Sequence, residues 1–243
     1  GTYRLNAVGG TSGLVKAGGG TLVLTGASTF TGTADVENGT LRLDGSLAGP
    51  TLLAVGSFDG GRAVLSGTGT VAAPVRVFIG GVLAPGGPTS AGTLTGAAPG
   101  RLELVSGATF GWTLAAPTTA GPGVSWSRYD AADTPVTLAA SGVALVPLFV
   151  GSAAAPTAAD PFWQAVRRWE GVIVSTGTVT GGPPAVANDA WADVGLFSTE
   201  VVVGSPNRVD VVWTPISAIP EPAGVAAVAA AGLAIAGAAR RRR

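Results

Sequence analysis

A glycine-opened phrase recurs through the first half of the chain: GGTLVLTG from Gly19, GTLRLDG from Gly39, GRAVLSG from Gly61, GGVLAPG from Gly80 and GRLELVSG from Gly100. The starts fall about twenty residues apart, a period that marks an array of stacked structural units. Within each phrase the side chains alternate. Leu41 and Leu43 fall on one side of GTLRLDG, with Thr40, Arg42 and Asp44 on the other, and Leu22 and Leu24 repeat the pattern one unit earlier. A period of two identifies a strand with one buried face. Glycine and asparagine punctuate the strand ends at Asn38-Gly39, Asp59-Gly60-Gly61, Gly80-Gly81 and Pro85-Gly86-Gly87-Pro88, where turns need left-handed backbone.

One such unit cannot bury its apolar face alone. Stacked units can, with each Leu, Val or Ile lying on a like residue above and below. A series of antiparallel hairpins is the competing arrangement, and the spacing is too long for two-residue turns at every step. The expected fold is all-β: a Gly-rich parallel β-helix (solenoid) over residues 1–114, a β-rich cap region over 115–214 and one C-terminal transmembrane helix within 215–243.

Composition narrows the chemistry. The chain has no histidine and no cysteine, so it lacks the usual general base, the commonest metal ligand and any thiolate or disulfide. It begins at Gly1 without methionine, which is expected of a fragment or a processed form that has shed a signal peptide. The formal charge is zero, but Arg240, Arg241, Arg242 and Arg243 supply four of the fourteen cations, so the chain before them carries ten cations against fourteen acids, a net −4. An acidic body with no basic stripe excludes nucleic acid as a partner.

From Ala115 to Pro215 the repeat fades into short β-type runs. Within them PFWQAVRRWEG, from Pro161 to Gly171, predicts a short helix, with Asp160 as its cap, Pro161 in its first turn, Gly171 beyond its end and Phe162, Val166 and Trp169 at helical spacing. Five of the six tryptophans lie in this region: Trp126, Trp163, Trp169, Trp191 and Trp213. No repeated aromatic–polar pattern aligns them, so packing anchors are expected rather than platforms for sugar rings.

Catalytic patterns are thin. GGGTLVLTG lacks the Gly-Lys-Ser/Thr ending of a phosphate loop, and no serine sits in a Gly-x-Ser-x-Gly elbow. Asn38-Gly39-Thr40 fits a glycosylation acceptor, but an ordinary turn before a strand is the plainer reading. Asp35 and Glu37, with Asp44 and Asp59 one or two units away, are the candidate carboxylates for glycoside hydrolysis or calcium binding, and a solubilising face is the plainer reading. No enzyme activity, cofactor or metal is expected.

Gly13 to Leu47 resembles the autotransporter-associated β-strand repeat. Lys16, Gly18, Gly20, Thr21, Leu22, Leu24 and Gly26 match its opening, Phe30, Thr31 and Gly32 its aromatic-Thr-Gly turn, and Asn38, Gly39, Thr40 and Leu41 its close. Val82 to Gly96, VLAPGGPTSAGTLTG, resembles a segment found downstream in such proteins. The resemblance implies a passenger-like, exported β-helical surface protein.

At the other end, Gly224 to Ala239 is sixteen apolar residues followed by the four arginines. As a helix it spans about 24 Å, short of a hydrocarbon core of about 30 Å. Val225, Val228, Leu233 and Ile235 contribute only about −2 kcal/mol towards insertion, which suits a temporary anchor with the arginines held on the cytoplasmic side. Ile219-Pro220-Glu221-Pro222, the apolar span and the arginines, in that order, are similar to the PEP-CTERM sorting signal. That resemblance implies recognition of Pro220, Glu221 and Pro222 by a membrane-embedded exosortase, cleavage near the motif and release or attachment at the cell exterior. The expected function is a structural protein of the cell surface or matrix. The alternative is a module or adhesin that binds exopolysaccharide, and a polysaccharide-cleaving β-helix is the more distant one.

Overall fold

A computed structural model describes residues 1–56, 61–188 and 190–216. Among these residues the chain forms 23 β-strands and one turn of 3-10 helix, arranged as three sheets of eight, eight and seven strands. Successive strands step from sheet to sheet and then return to the first, so the body is a three-sided parallel β-helix. One rung shows the plan: Leu14–Lys16 lies in sheet B, Thr21–Leu24 in sheet A and Ala27–Ser28 in sheet C, and the next rung repeats it with Ala34–Val36, Gly39–Leu43 and Ser46–Ala48.

The register turns alternation into columns. Leu22, Leu41, Leu65, Leu83, Phe110 and Leu145 occupy equivalent positions in sheet A, and from Leu41 onward each is buried. In sheet B, Leu53, Val75, Leu102 and Val136 do the same. A one-residue slip would turn a whole column outward, so the buried core locks the register. At the corner before Gly39–Leu43, Gly39 has φ +74°, and a Cβ there would lie 2.4 Å from the carbonyl oxygens of Gly18 and Gly20. Only glycine lets two rungs pass so closely.

The first four repeated phrases open strands of sheet A, as expected. The fifth does not: Gly100 opens Arg101–Leu104 in sheet B, and the sheet A position belongs to Thr109–Leu114. The segment from Gly86 to Gly92 lengthens the intervening rung and moves the phase. Every side of the helix shows the same two-residue alternation, so the pattern marks strands without saying which side they occupy. The repeat fades after Leu114, but the ladder does not. Thr109–Leu114 pairs in parallel with Ala144–Phe149, which pairs with Ala185–Val186, while Leu102–Leu104 pairs with Val136–Leu138. The rungs grow longer instead: Thr21 to Thr40 is a step of 19 residues, and Ala144 to Ala185 a step of 41.

The helix expected from Pro161 to Gly171 is a correction. Asp160 does accept a hydrogen bond from the Phe162 amide (2.9 Å) and Pro161 does open the turn, but the 3-10 helix ends at Gln164. Arg167–Ser175 is a nine-residue strand of sheet C with Trp169 buried and Val166 exposed. Pairing with Asn207–Pro215 and burial of alternate residues outweigh a weak helical spacing. Gly171, expected beyond the end of a helix, lies at φ +73° where the register shifts between Trp169 and Ile173, as in a β-bulge.

Sheet C ends in an antiparallel hairpin, Gly195–Val202 and Asn207–Pro215, laid on Arg167–Ser175. Beneath it lies an aromatic cluster: Trp112 against Trp169 (ring centres 4.9 Å apart), Trp163 against Trp213 (5.3 Å) and Phe197 against Trp213 (4.8 Å). No helix among the described residues is long and apolar enough to cross a membrane. The transmembrane helix expected within 215–243, together with Pro220, Glu221, Pro222 and Arg240 to Arg243, lies outside the described residues.

Candidate functional site

The motif residues of the first complete repeat meet at the corner between sheets B and A. Lys16 occupies the inward column of sheet B, in register with Val36 and Val55, and is almost fully buried. Its ammonium donates to three carbonyl oxygens: Gly18 (2.6 Å), Asn38 (2.8 Å) and Ala17 (3.1 Å). Burial pulls its pKa below the ordinary lysine value. Lys16 therefore ties the turn of one rung to the turn of the next. Phe30, from the aromatic-Thr-Gly part of the repeat, is buried in the core, and Asn38 and Gly39 form the stacked corner. These residues act as architecture, and no reactive group stands among them.

A family model described as the passenger-associated-transport-repeat matches residues 14–43. The match covers thirty residues and is consistent with the autotransporter-associated resemblance, so this part of the chain is similar to a passenger repeat. No curated protein matches the chain.

The carboxylates singled out in the sequence do not converge. Asp35 faces outward from sheet B and accepts from the Thr33 hydroxyl (2.8 Å), and Glu37 is exposed just beyond that strand. Asp44 lies at the far end of Gly39–Leu43, where both its oxygens take the Nε of Arg42 at 2.9 and 3.0 Å. Asp59 lies outside the described residues. Among the described residues no three acidic groups are placed to hold a metal ion. The tryptophans are also spoken for. Trp126, Trp163, Trp169 and Trp213 are buried, Trp191 packs against that core, and the indole N–H groups of Trp169, Trp213 and Trp126 bond to the carbonyls of Thr118, Trp163 and Thr119. None of the four can stack on a sugar, so the packing role expected of them holds.

What the sequence pattern does not single out is the outer face of sheet A. The outward columns there read Thr2, Thr21, Thr40, Val64, Val82, Thr109 and, beside them, Arg4, Val23, Arg42, Ser66, Ala84. The segment from Gly86 to Thr89 folds back across this face and is held where the Gly86 amide meets the Gly67 carbonyl (2.8 Å) and the Thr113 hydroxyl meets the Gly87 carbonyl (3.0 Å). Val23, Ser66 and Ala84 are buried although they point away from the core. Pro88 divides the face into two troughs of about 450 and 310 Å3. A signal was present: valine at 64 and 82, in positions a solvated strand face gives to polar residues, marks a face with something laid across it.

Proposed function

We propose that this chain is an exported structural protein of the cell surface or extracellular matrix, without catalytic activity. What carries the reading is the union of a passenger-like repeat with a solid solenoid. The rungs matched by the repeat family stack leucine on leucine, the corner lysine is committed to backbone carbonyls, and each further rung adds length to the stack. Such a stack makes a rigid spacer or display surface.

Sorting belongs to the same proposal. Ile219-Pro220-Glu221-Pro222, the apolar span from Gly224 to Ala239 and Arg240 to Arg243 stand in the order a PEP-CTERM signal requires. An exosortase-type membrane enzyme is then the processing partner, and the inner membrane a transient anchor that precedes release or attachment outside. Proline cannot continue a helix, so two of them beside the cleavage region suit a motif that an enzyme must read in extended form. Mass spectrometry of the protein's C-terminus from its native cells tests this. A product ending near Pro222 is expected, and an intact Arg243 on the mature surface protein would refute processing. External protease added to spheroplasts should digest the body, and protection of the body would refute export.

A second reading, a polysaccharide-binding module or adhesin, is favoured by the troughs on sheet A rather than by the tryptophans.

A further inference from the structure

We propose that the outer face of sheet A binds an acidic polysaccharide, laid along the stacking direction of the rungs. This rests on the binding-module reading above and assigns its site and ligand class.

Charge is the first reason. Arg4 and Arg42 line the smaller trough and Arg62 the larger, and no acidic residue lines either trough among the described residues. Arg42 is held at its Nε by Asp44, while Arg4 and Arg62 have no carboxylate partner among the described residues. The body as a whole is acidic, so a cationic strip here is a local departure that sets the sign of what binds. Arg4 and Arg42 share a column with Val23 between them, so they stand two strand spacings apart, about 9.6 Å. That is close to the length of two linked pyranose rings, the repeat at which a polyuronate presents carboxylates on one side.

The lining gives the second reason. Thr2, Thr21, Thr40 and Thr109 offer hydroxyls in a row, and Val64 and Val82 continue that row with methyl groups. Hydroxyls meeting sugar hydroxyls, with methyl groups against the C–H faces of the rings, suit a carbohydrate. Among the described residues no aromatic side chain lines either trough, and single-stranded nucleic acid needs such a platform. The surface is a sheet face rather than an edge, so an extended acidic peptide finds no backbone ladder to join. Pro88 stands between the two troughs, and the Gly86–Thr89 segment crosses the path as a strap under or beside which a chain would run.

The test uses the full chain in mild detergent, titrated with oligogalacturonates, neutral dextran oligomers and polyglutamate. Oligogalacturonate should bind at least about tenfold more tightly than either of the others, and the binding should weaken as salt is raised. Arg4→Gln with Arg62→Gln should weaken it by about tenfold or more, as should Val64→Glu, which puts a carboxylate on the floor of the trough. Arg101→Gln, on sheet B, should leave it unchanged. Equal binding of polyglutamate or dextran, or an unaltered affinity in the arginine double variant, would overturn the proposal. If Val64→Glu fails to fold, by circular dichroism, the arginine variant decides alone. The processed C-terminus is measured separately, so failure here leaves the export reading standing.

Discussion

At the scale of single residues, the corner between sheets B and A concentrates the constraints. Gly39 combines a positive φ with two carbonyl oxygens at 2.4 Å from any added Cβ. Gly39→Ala should destabilise the fold by more than about 1 kcal/mol, because strain and overlap act together, and a urea midpoint would show it. Lys16 is the only positive charge in an inward column of the first rungs, and its three carbonyl partners would be left unsatisfied by Lys16→Met. A loss of about 1–3 kcal/mol is expected, and a variant as stable as the parent would show that those carbonyls find other donors. Tyr129 gives a pH dependence. It is buried beside Asp130, and burial first, then that charge, push its phenol above the ordinary value. The folded state holds its proton longer than the unfolded state, so the contribution is intact below about pH 10 and is lost as pH rises beyond it. Tyr129→Phe should flatten the alkaline limb of a thermal-melt series, and an unchanged limb would contradict the assignment.

Between residues and the whole stand the elements, and the informative one is the strand Arg167–Ser175. Its bulge is pinned by Asp210, fully buried on the neighbouring strand. One Asp210 carboxylate oxygen accepts from the Gly171 amide (2.8 Å) and from Arg208 Nε (2.9 Å), and the other from Arg168 Nη1 (2.9 Å). Arg168 also meets Glu200 at 2.8 Å, and this pairing, with Asp210, raises its pKa. Removing the carboxylate strands the Gly171 amide and takes one partner from each of two guanidinium groups. Because both arginines also reach solvent, Asp210→Ala should cost about 2–3 kcal/mol, below the full penalty for breaking an enclosed pair. Calorimetric melting measures it. A change under about half a kcal/mol would mean that water replaces the carboxylate. The aromatic layer behind this strand predicts a larger effect: Trp163→Ala should cost about 3–5 kcal/mol and quench the cluster's near-ultraviolet dichroism.

For the molecule as a whole, the stack is a one-dimensional object whose ends matter. The antiparallel hairpin from Gly195 to Pro215 turns the chain direction in sheet C and covers the Arg167–Ser175 edge with strands of opposite sense. Parallel growth stops there on that side, while sheets A and B finish in two-residue strands, Ala185–Val186 and Val179–Thr180, too short to template much pairing. A chain truncated after Val194 would expose the nine-residue Arg167–Ser175 edge together with buried Trp169. It should self-associate at concentrations where the parent does not, by light scattering, and a monodisperse truncation would show that the hairpin is dispensable as a cap.

Much of this protein could be read without coordinates. Gly39, Thr40, Leu41 and Leu43 announce a strand and its turn through chirality and the two-residue period, both local properties, and the twenty-residue recurrence demands stacking because one rung has nowhere to bury its leucines. Asp160 and Pro161 likewise marked the start of a turn correctly. The side each strand takes was not legible. Gly100 looks like Gly80 because alternation is the same on all three sheets, and only the strap from Gly86 to Gly92 shifts the phase. Nor was the fate of Arg167–Ser175, where helical spacing of Phe162 and Trp169 lost to pairing with the distant strand Asn207–Pro215. The troughs on sheet A were legible only in part: Val64 and Val82 mark a covered face, but Arg4, Arg42, Val64 and Val82 are scattered in sequence and come together only when the rungs are stacked. Local chemistry decides what a rung is. The order in which rungs stack decides what their outer faces present, because neighbours across a sheet are set by register, a property of the whole chain.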